Sequence, residues 1–203
     1  MRTEQLGSHS RVILDPGEFY ASSTPVTIST LLGSCVAACL YDPVNKVIGM
    51  NHFMLSHRRY PKGLPMTQTE AGRYGVHSME LLINEMFRQG AEKRFLQAKA
   101  FGGSMIIGSD SDTSSFPSVG EVNSKFIREF LACEQIPLIA ENLGGKEGRV
   151  IHFSYRDFAV YMRRLKSVDK SRSLAIRDRN CWMNAVAAQE RQQAHMENVE
   201  LWG

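Results

Sequence analysis

The chain has 203 residues, of which 43% are hydrophobic and 22% are charged, and this composition is typical of a globular protein with one sizeable core. Its formal charge of +3 is too small to indicate a nucleic-acid surface, and no apolar run approaches the roughly 20 residues that span a bilayer. The polar start, Met1 to Ser10, lacks the apolar segment of a signal peptide, so we expect a soluble cytoplasmic protein without membrane insertion.

The first predicted elements are strands. Strand and loop are expected over residues 11–34, with a turn at Asp15-Pro16-Gly17 and extended chain from Thr24 to Thr30. Two strand-like stretches then flank Asp42-Pro43-Val44-Asn45, namely Cys35 to Tyr41 and Lys46 to Leu55. Asp followed by Pro favours a type I turn, so the pattern predicts a β-hairpin.

A change of period marks the first predicted helix. Residues 56–68 are rich in Pro, Gly and basic side chains and predict a surface loop. Apolar residues then recur at helical spacing from about Thr69 to Gln89, and Gly90 is placed to end the helix.

Strand and helix alternate in the second half of the chain. We expect a strand from Leu96 into Gly102-Gly103, a loop over residues 108–119 and a second helix over residues 123–134. A short strand at Pro137 to Ala140 and a closing hairpin, Val150 to Tyr155 with Phe158 to Met162, complete a core that ends near Leu165.

The predicted hairpin brings a thiol and an imidazole together. If the turn occupies Asp42 to Asn45, Tyr41 pairs with Lys46, and counting outward pairs Cys35 with His52. Directly opposed residues have Cβ atoms about 4.5–5.5 Å apart, within reach of a thiol–imidazole hydrogen bond. A one-residue slip would move His52 to the other face. A cysteine nucleophile with its base is one interpretation; a packed core cysteine and a structural histidine is the other.

The cysteines indicate free thiols and no cofactor. Cys35, Cys39, Cys133 and Cys181 form no CxxC pair and no repeated spacing, so neither a zinc ribbon nor a disulfide framework is predicted. A metal site formed by Cys35, Cys39 and His52 is an alternative. Residues four apart on a strand are far apart for one ion, however, and no fourth ligand is evident.

Several motifs resemble those of one known family. The stretch Thr30-Leu31-Leu32-Gly33-Ser34-Cys35-Val36-Ala37-Ala38-Cys39-Leu40-Tyr41-Asp42, continued by Gly49-Met50-Asn51-His52-Phe53-Met54-Leu55, is similar to the signature of the CheD chemoreceptor glutamine deamidases of bacterial chemotaxis. Further agreement covers about Arg11 to Leu165 and lies in Pro16-Gly17-Glu18-Phe19-Tyr20, Phe101-Gly102-Gly103, Gly120-Glu121-Val122-Asn123 and Asn142-Leu143-Gly144-Gly145-Lys146-Glu147-Gly148-Arg149.

The resemblance implies specific catalytic residues. In that family the cysteine of the LGSC motif is the nucleophile and the histidine of the NHF-type segment is the base, which correspond here to Cys35 and His52. A hydroxyl-bearing third residue, commonly threonine, precedes the family's cysteine by six positions. Here that position is Ser29, with Thr30 next to it, so either hydroxyl is a candidate.

The resemblance also implies a fold, a substrate and a partner. The expected fold is α/β, a layered α/β/β sandwich similar to the catalytic domains of certain deamidating bacterial toxins. The expected substrates are the cytoplasmic domains of chemoreceptors, and the CheC phosphatase is an expected regulatory partner in species that have it. A noncatalytic adaptor that binds receptors and keeps Cys35 as a packed residue is the alternative function.

The expected organisation has three parts. Residues 1–10 are expected to be a flexible N-terminus, and residues 11–165 a CheD-like deamidase domain. Residues 166–203 are polar and basic with scattered apolar side chains such as Trp182 and Val186. They are expected to be a tail that could form a helix but not a second core.

Overall fold

The computed structural model describes residues 1–7, 9–55, 65–105, 118–165 and 168–197. This part of the chain is a mixed α/β protein with two five-stranded sheets and three α-helices. Most of the two loops expected over residues 56–68 and 108–119 lies outside the described residues. None of the helices in the described part of the chain has the length and apolar character of a membrane span.

The first sheet has the strand order β1-β2-β4-β9-β10 and the second has the order β3-β6-β5-β7-β8. The strands of the first sheet are β1 (Arg2–Leu6), β2 (His9–Leu14), β4 (Val26–Leu32), β9 (Arg149–Ser154) and β10 (Val160–Arg164). The strands of the second are β3 (Phe19–Ser22), β5 (Val36–Asp42), β6 (Val47–Asn51), β7 (Gln97–Gly102) and β8 (Leu138–Leu143). The predicted closing hairpin is confirmed as β9 and β10.

Two hydrophobic cores lie on opposite faces of the second sheet. One is formed by alternate residues of β5 and β7 together with the two helices α1 (Glu70–Arg88) and α2 (Val119–Cys133). The other contains the remaining alternate residues of β5 and the inward-facing residues of β2, β4 and β9 in the first sheet. All seven residues of β5 are buried, since both faces of the strand are covered.

The two predicted helices form, and one starts earlier than expected. Helix α1 begins after Thr69, whose side chain accepts a hydrogen bond from the Gly72 N–H, and ends just before Gly90 at φ +98°. Helix α2 was expected from residue 123 but begins at Val119. The reason is a capping box in which the side chains of Ser118 and Glu121 each accept the other's backbone N–H.

The predicted hairpin of β5 and β6 is confirmed, but the predicted pairing of Tyr41 with Lys46 is wrong. Asp42 pairs with Val47, so the turn is Pro43 to Lys46. Both the Val44 and Asn45 N–H groups donate to Asp42 Oδ1 at 2.9 Å, which fixes Asp42 at the strand end. Lys46 adopts the left-handed conformation at φ +54° and closes the four-residue turn.

The two segments expected to lie outside the domain both contain regular structure. Arg2–Leu6, within the expected flexible N-terminus, forms β1 and pairs antiparallel with β2. The expected tail contains a helix, α3 (Val168–Glu197), one side of which is buried at Leu174, Asp178 and Val186. The tail therefore packs on the rest of the protein.

The turn at Asp42 gives a test of the fold. Asp42 is fully buried and accepts hydrogen bonds from the N–H groups of Val44, Asn45 and Glu92. We expect Asp42→Ala to lower the free energy of unfolding by about 3 kcal/mol, because charge-assisted bonds are lost and the donors are left without an acceptor. Urea unfolding followed by circular dichroism measures this.

The matched control lies in the same turn. The Val44 side chain is 60% exposed, so we expect Val44→Ala to change the free energy of unfolding by no more than about 0.5 kcal/mol. Equal unfolding midpoints for the two variants would contradict the role assigned to Asp42.

Candidate active site

The turn between β4 and β5, residues 33–35, is held by the end of β7. The Ser104 N–H donates to the Gly33 carbonyl and the Gly103 N–H donates to the Cys35 carbonyl, both at 2.7 Å. Gly102 has φ +113°, and a Cβ at that position would lie 2.1 Å from the Cys35 carbonyl oxygen. Only glycine permits this close approach of the two backbones, which accounts for the glycines of the FGG motif.

Helix α2 holds the same turn from another side. Asn123 is fully buried, and its Nδ2 donates to the Ser34 carbonyl at 2.7 Å while its Oδ1 accepts from the Leu55 N–H at 2.8 Å. A Cβ on Gly120 would lie 2.4 Å from the Gly103 carbonyl oxygen, so the first turn of α2 packs directly on the β7 end. Asn123 thereby connects the segment before Cys35 to the segment after His52.

Cys35 and His52 are both fully buried on the inner side of the second sheet. The isolated bridge between Val36 and Phe53 fixes the local register, so His52 is not directly opposite Cys35 as predicted from the sequence. His52 is displaced by two residues from the position opposite Cys35. Strand side chains alternate between the two faces, so a displacement by two leaves Cys35 and His52 on the same face.

The backbone of His52 is fixed by the segment before β3. The Gly17 N–H donates to the His52 carbonyl at 2.7 Å, and the His52 N–H donates to the Glu18 carbonyl at 2.9 Å. Gly17 adopts φ +88° in this turn. The PGEFY motif therefore positions the histidine through main-chain bonds.

The imidazole of His52 is oriented by Thr30 from the opposite sheet. Thr30 Oγ1 lies 2.7 Å from His52 Nδ1 and 2.8 Å from the Leu14 carbonyl oxygen. A hydroxyl has one proton, and the carbonyl can only accept, so Thr30 donates to Leu14 and accepts from His52. His52 thus carries its proton on Nδ1. Its Nε2 is buried and has no hydrogen-bond partner among the described residues.

Ser29, the other candidate hydroxyl, faces the opposite way. Successive strand residues alternate in direction, so Thr30 points between the sheets and Ser29 points to the outer face of the first sheet. There its Oγ lies 2.8 Å from His152 Nδ1 and accepts from Arg11 Nε at 3.1 Å. Of the two candidate hydroxyls, only Thr30 contacts His52.

Burial keeps the thiol and the imidazole neutral. Burial raises the pKa of the Cys35 thiol well above its usual value, and the charge of Asp178 raises it further. Burial, together with the charge of Arg177, lowers the pKa of His52 to about 3. In this arrangement both the thiol and the imidazole are neutral, and His52 Nε2, which has no hydrogen-bond partner among the described residues, can accept a proton.

Two charged residues at the site come from helix α3 and were not predicted. Asp178 Oδ2 accepts from the Ser34 N–H at 2.8 Å and from the Ser34 hydroxyl at 2.9 Å. Arg177 Nη2 donates to the Leu31 carbonyl and to Asp178 Oδ1. These contacts join positions about 145 apart along the chain, and no local sequence pattern indicates them.

Metal binding has no support in the described residues, where no three His, Cys, Asp or Glu side chains are grouped so that they could hold an ion. The three residues of the alternative metal site, Cys35, Cys39 and His52, are all within the described part of the chain.

Comparisons with known proteins point to one family. The sequence profile of the CheD family, described as CheD chemotactic sensory transduction, matches residues 54–164. The probable chemoreceptor glutamine deamidase CheD 1 of Geobacter sulfurreducens is 47% identical over 202 residues, which cover 100% of this chain and 98% of the relative.

Other similar proteins carry the same description. The probable chemoreceptor glutamine deamidase CheD 2 of Shewanella oneidensis is 47% identical over 151 residues, which cover 74% of each chain. The corresponding protein of Sinorhizobium medicae is 46% identical over 154 residues, covering 75% of this chain and 78% of the relative.

The hydrogen bond between Thr30 and His52 predicts a fixed tautomer. We expect imidazole ¹H–¹⁵N NMR spectra to show His52 neutral and protonated on Nδ1 from pH 8 down to about pH 5, since its pKa is lowered to about 3. Thr30→Val removes the acceptor and should abolish the preference for Nδ1. Ser29→Ala is the control and should change only the signals of His152. An Nε2-protonated His52 in the wild type would contradict the assignment.

Proposed function

Because the chain belongs to the CheD family, we propose that it is a chemoreceptor glutamine deamidase in which Cys35 is the nucleophile and His52 the general base. The names of its relatives support the reaction and the substrate class. The observation that carries the catalytic assignment is the hydrogen bond of Thr30 to His52 Nδ1, which leaves Nε2 unpaired on the side of the sheet where Cys35 lies.

The first half of the reaction forms a thioester. The Cys35 thiol transfers its proton to His52 Nε2 as the sulfur attacks the carboxamide carbon of a substrate glutamine. The carbonyl oxygen gains negative charge in the tetrahedral intermediate. The protonated His52 then donates its proton to the amide nitrogen, the C–N bond breaks and ammonia leaves. The glutamyl group remains bound to Cys35 as a thioester.

The second half consumes water. Neutral His52 accepts a proton from a water molecule, whose oxygen attacks the thioester carbon. The C–S bond breaks, the thiolate of Cys35 recovers a proton from His52, and the side chain leaves as glutamate. A glutamyl methyl ester is a further substrate for this route, since methanol replaces ammonia as the leaving group.

Thr30 is a positioning residue in this mechanism. It holds His52 in the tautomer whose Nε2 can accept the thiol proton, which is the part that the third residue plays in other catalytic triads. In the other tautomer Nε2 would carry the proton and could not act as the base.

The proposal includes the setting of the enzyme. Residues 11–165 form the deamidase domain, and the two cores on either side of the second sheet support a layered α/β/β sandwich like that of deamidating toxins. The enzyme works in the cytoplasm on the cytoplasmic domains of receptors, and in species that have it the CheC phosphatase is its regulatory partner. Co-purification with CheC tests the last point.

Mass spectrometry of receptor cytoplasmic fragments tests the reaction. We expect the wild type to add about 1 Da at individual glutamines and Cys35→Ala to add none, because the thioester cannot form. Cys39→Ala is a matched control, since Cys39 is an equally buried cysteine of the same strand face and should leave the reaction intact. Receptor binding without any mass gain by the wild type would favour the adaptor instead.

The rate of the same reaction tests Thr30. We expect Thr30→Val to lower kcat by about 10- to 100-fold, less than the full contribution of a general base, because His52 remains but is no longer oriented. The rate of Ser29→Ala should stay close to that of the wild type, since Ser29 contacts His152 on the outer face. A larger loss in Ser29→Ala than in Thr30→Val would overturn the assignment.

A further inference from the structure

Helix α3 is docked on the candidate active site along one of its sides. Leu174 and Val186 are 2% and 3% exposed, and Asp178 between them is fully buried. A Cβ on Gly148 would lie 2.3 Å from Leu174 Cδ2, so the helix packs closely on the loop before β9. Cys181 and Trp182, on the same side, pack against the core between the two sheets.

Helix α3 makes a polar contact directly beside Cys35. The carboxylate of Asp178 accepts two hydrogen bonds from Ser34, one from its backbone N–H and one from its hydroxyl. Ser34 directly precedes Cys35. The guanidinium of Arg177 balances the buried charge, and it also donates to the Leu31 carbonyl at 2.9 Å. Charge-assisted bonds of this kind are among the stronger hydrogen bonds in proteins.

A carboxylate at this position resembles the groups that deamidation creates. During the attack the carboxamide oxygen becomes negative, and donors beside the nucleophile stabilise it. The product side chain is itself a carboxylate. Asp178 places such a carboxylate oxygen on the Ser34 donors.

We propose that α3 is an intramolecular competitor of the substrate, with Asp178 on the Ser34 donors, and that the receptor segment carrying the target glutamine must displace α3 to reach Cys35. This role of α3 rests on the proposed function. It adds that the N–H and hydroxyl of Ser34 bind the substrate oxygen and that α3 regulates access to Cys35. The complete burial of Cys35 and His52 fits this covered state.

Thiol labelling of the 203-residue chain tests whether α3 covers Cys35, and it does not depend on enzymatic activity. We expect Asp178→Ala to increase the rate at which iodoacetamide modifies Cys35 on the order of tenfold, as loss of charge-assisted hydrogen bonds implies. Peptide mass spectrometry measures each cysteine separately. Alanine also favours helix, so the gain cannot come from a weaker helix. Loss of the Asp178 charge also lowers the pKa of Cys35, so Leu174→Ala, which keeps that charge, is measured beside it and should increase the labelling rate as well.

Two controls make the labelling specific. Arg179→Ala removes a charge from the exposed side of α3 and should leave the labelling of Cys35 unchanged. Cys39, buried in the same core, should stay unmodified in every variant, which excludes general loosening of the fold. If Leu174→Ala labels Cys35 at the wild-type rate, the proposed cover is overturned, because faster labelling of Asp178→Ala alone would report the lost charge beside the thiol and not the opening of α3.

The deamidation rate tests the competition. We expect Asp178→Ala to modify receptor fragments faster than the wild type, mainly through a lower KM, since less binding energy is used to displace α3. If Asp178→Ala deamidates the fragments but has the labelling rate and the KM of the wild type, the competition by α3 is wrong and the proposed function stands. Faster labelling of Cys35 with no deamidation by either protein would overturn the proposed function instead.

Hydrogen exchange tests displacement directly. In Cys35→Ala, which binds substrate without turnover, addition of a receptor cytoplasmic fragment should speed amide exchange over residues 172–188 of α3 and leave α1 unchanged. If the fragment binds while α3 keeps its protection, the substrate does not displace the helix and the proposal is wrong.

Discussion

The hydrogen bond between Thr30 and His52 connects the two sheets at the candidate active site. Thr30 belongs to β4 of the first sheet, and His52 follows β6 of the second. The single hydroxyl proton is used by the Leu14 carbonyl, so the histidine must donate from Nδ1 and keep Nε2 free. The chemical state of the candidate base is therefore a consequence of how the two sheets pack.

The sequence motifs that are far apart along the chain act on two short segments. Gly102 and Gly103 hold the turn before Cys35 through backbone contacts, and Asn123 holds the Ser34 carbonyl. Gly17 and Glu18 hold the backbone of His52. Each contact restricts one of the two candidate segments, and under the proposed function this is the form of preorganisation that favours catalysis.

Burial of the site has both a benefit and a cost. Water is excluded from Cys35 and His52, and this strengthens each electrostatic interaction within the site. The same burial raises the pKa of the thiol and lowers that of the imidazole, so the charged pair is disfavoured. A protein substrate also cannot reach a buried thiol. The charges of Asp178 and Arg177 on helix α3 act on these pKa values, and in the proposal above the same helix controls access to the thiol.

The sequence predicted most of the local elements, and its resemblance to the CheD family indicated the candidate nucleophile and base. The helical period predicted α1, the Asp-Pro turn predicted the hairpin, and the motifs indicated Cys35 and His52. The Ser118-x-x-Glu121 capping box was also readable and would have corrected the start of α2. These features depend on residues that are neighbours in the chain.

Three features followed only from the folded structure: the register of the hairpin, the contact of Thr30 rather than Ser29 with His52, and the place of α3. Strand alternation shows that Ser29 and Thr30 face opposite ways, but which one faces inward depends on the packing of the two sheets. The contact of Asp178 with Ser34 spans 144 positions, and a polar helix gives no local sign of where its carboxylate will bind. Such long-range contacts depend on the folded arrangement of the whole chain, so local patterns could not predict them.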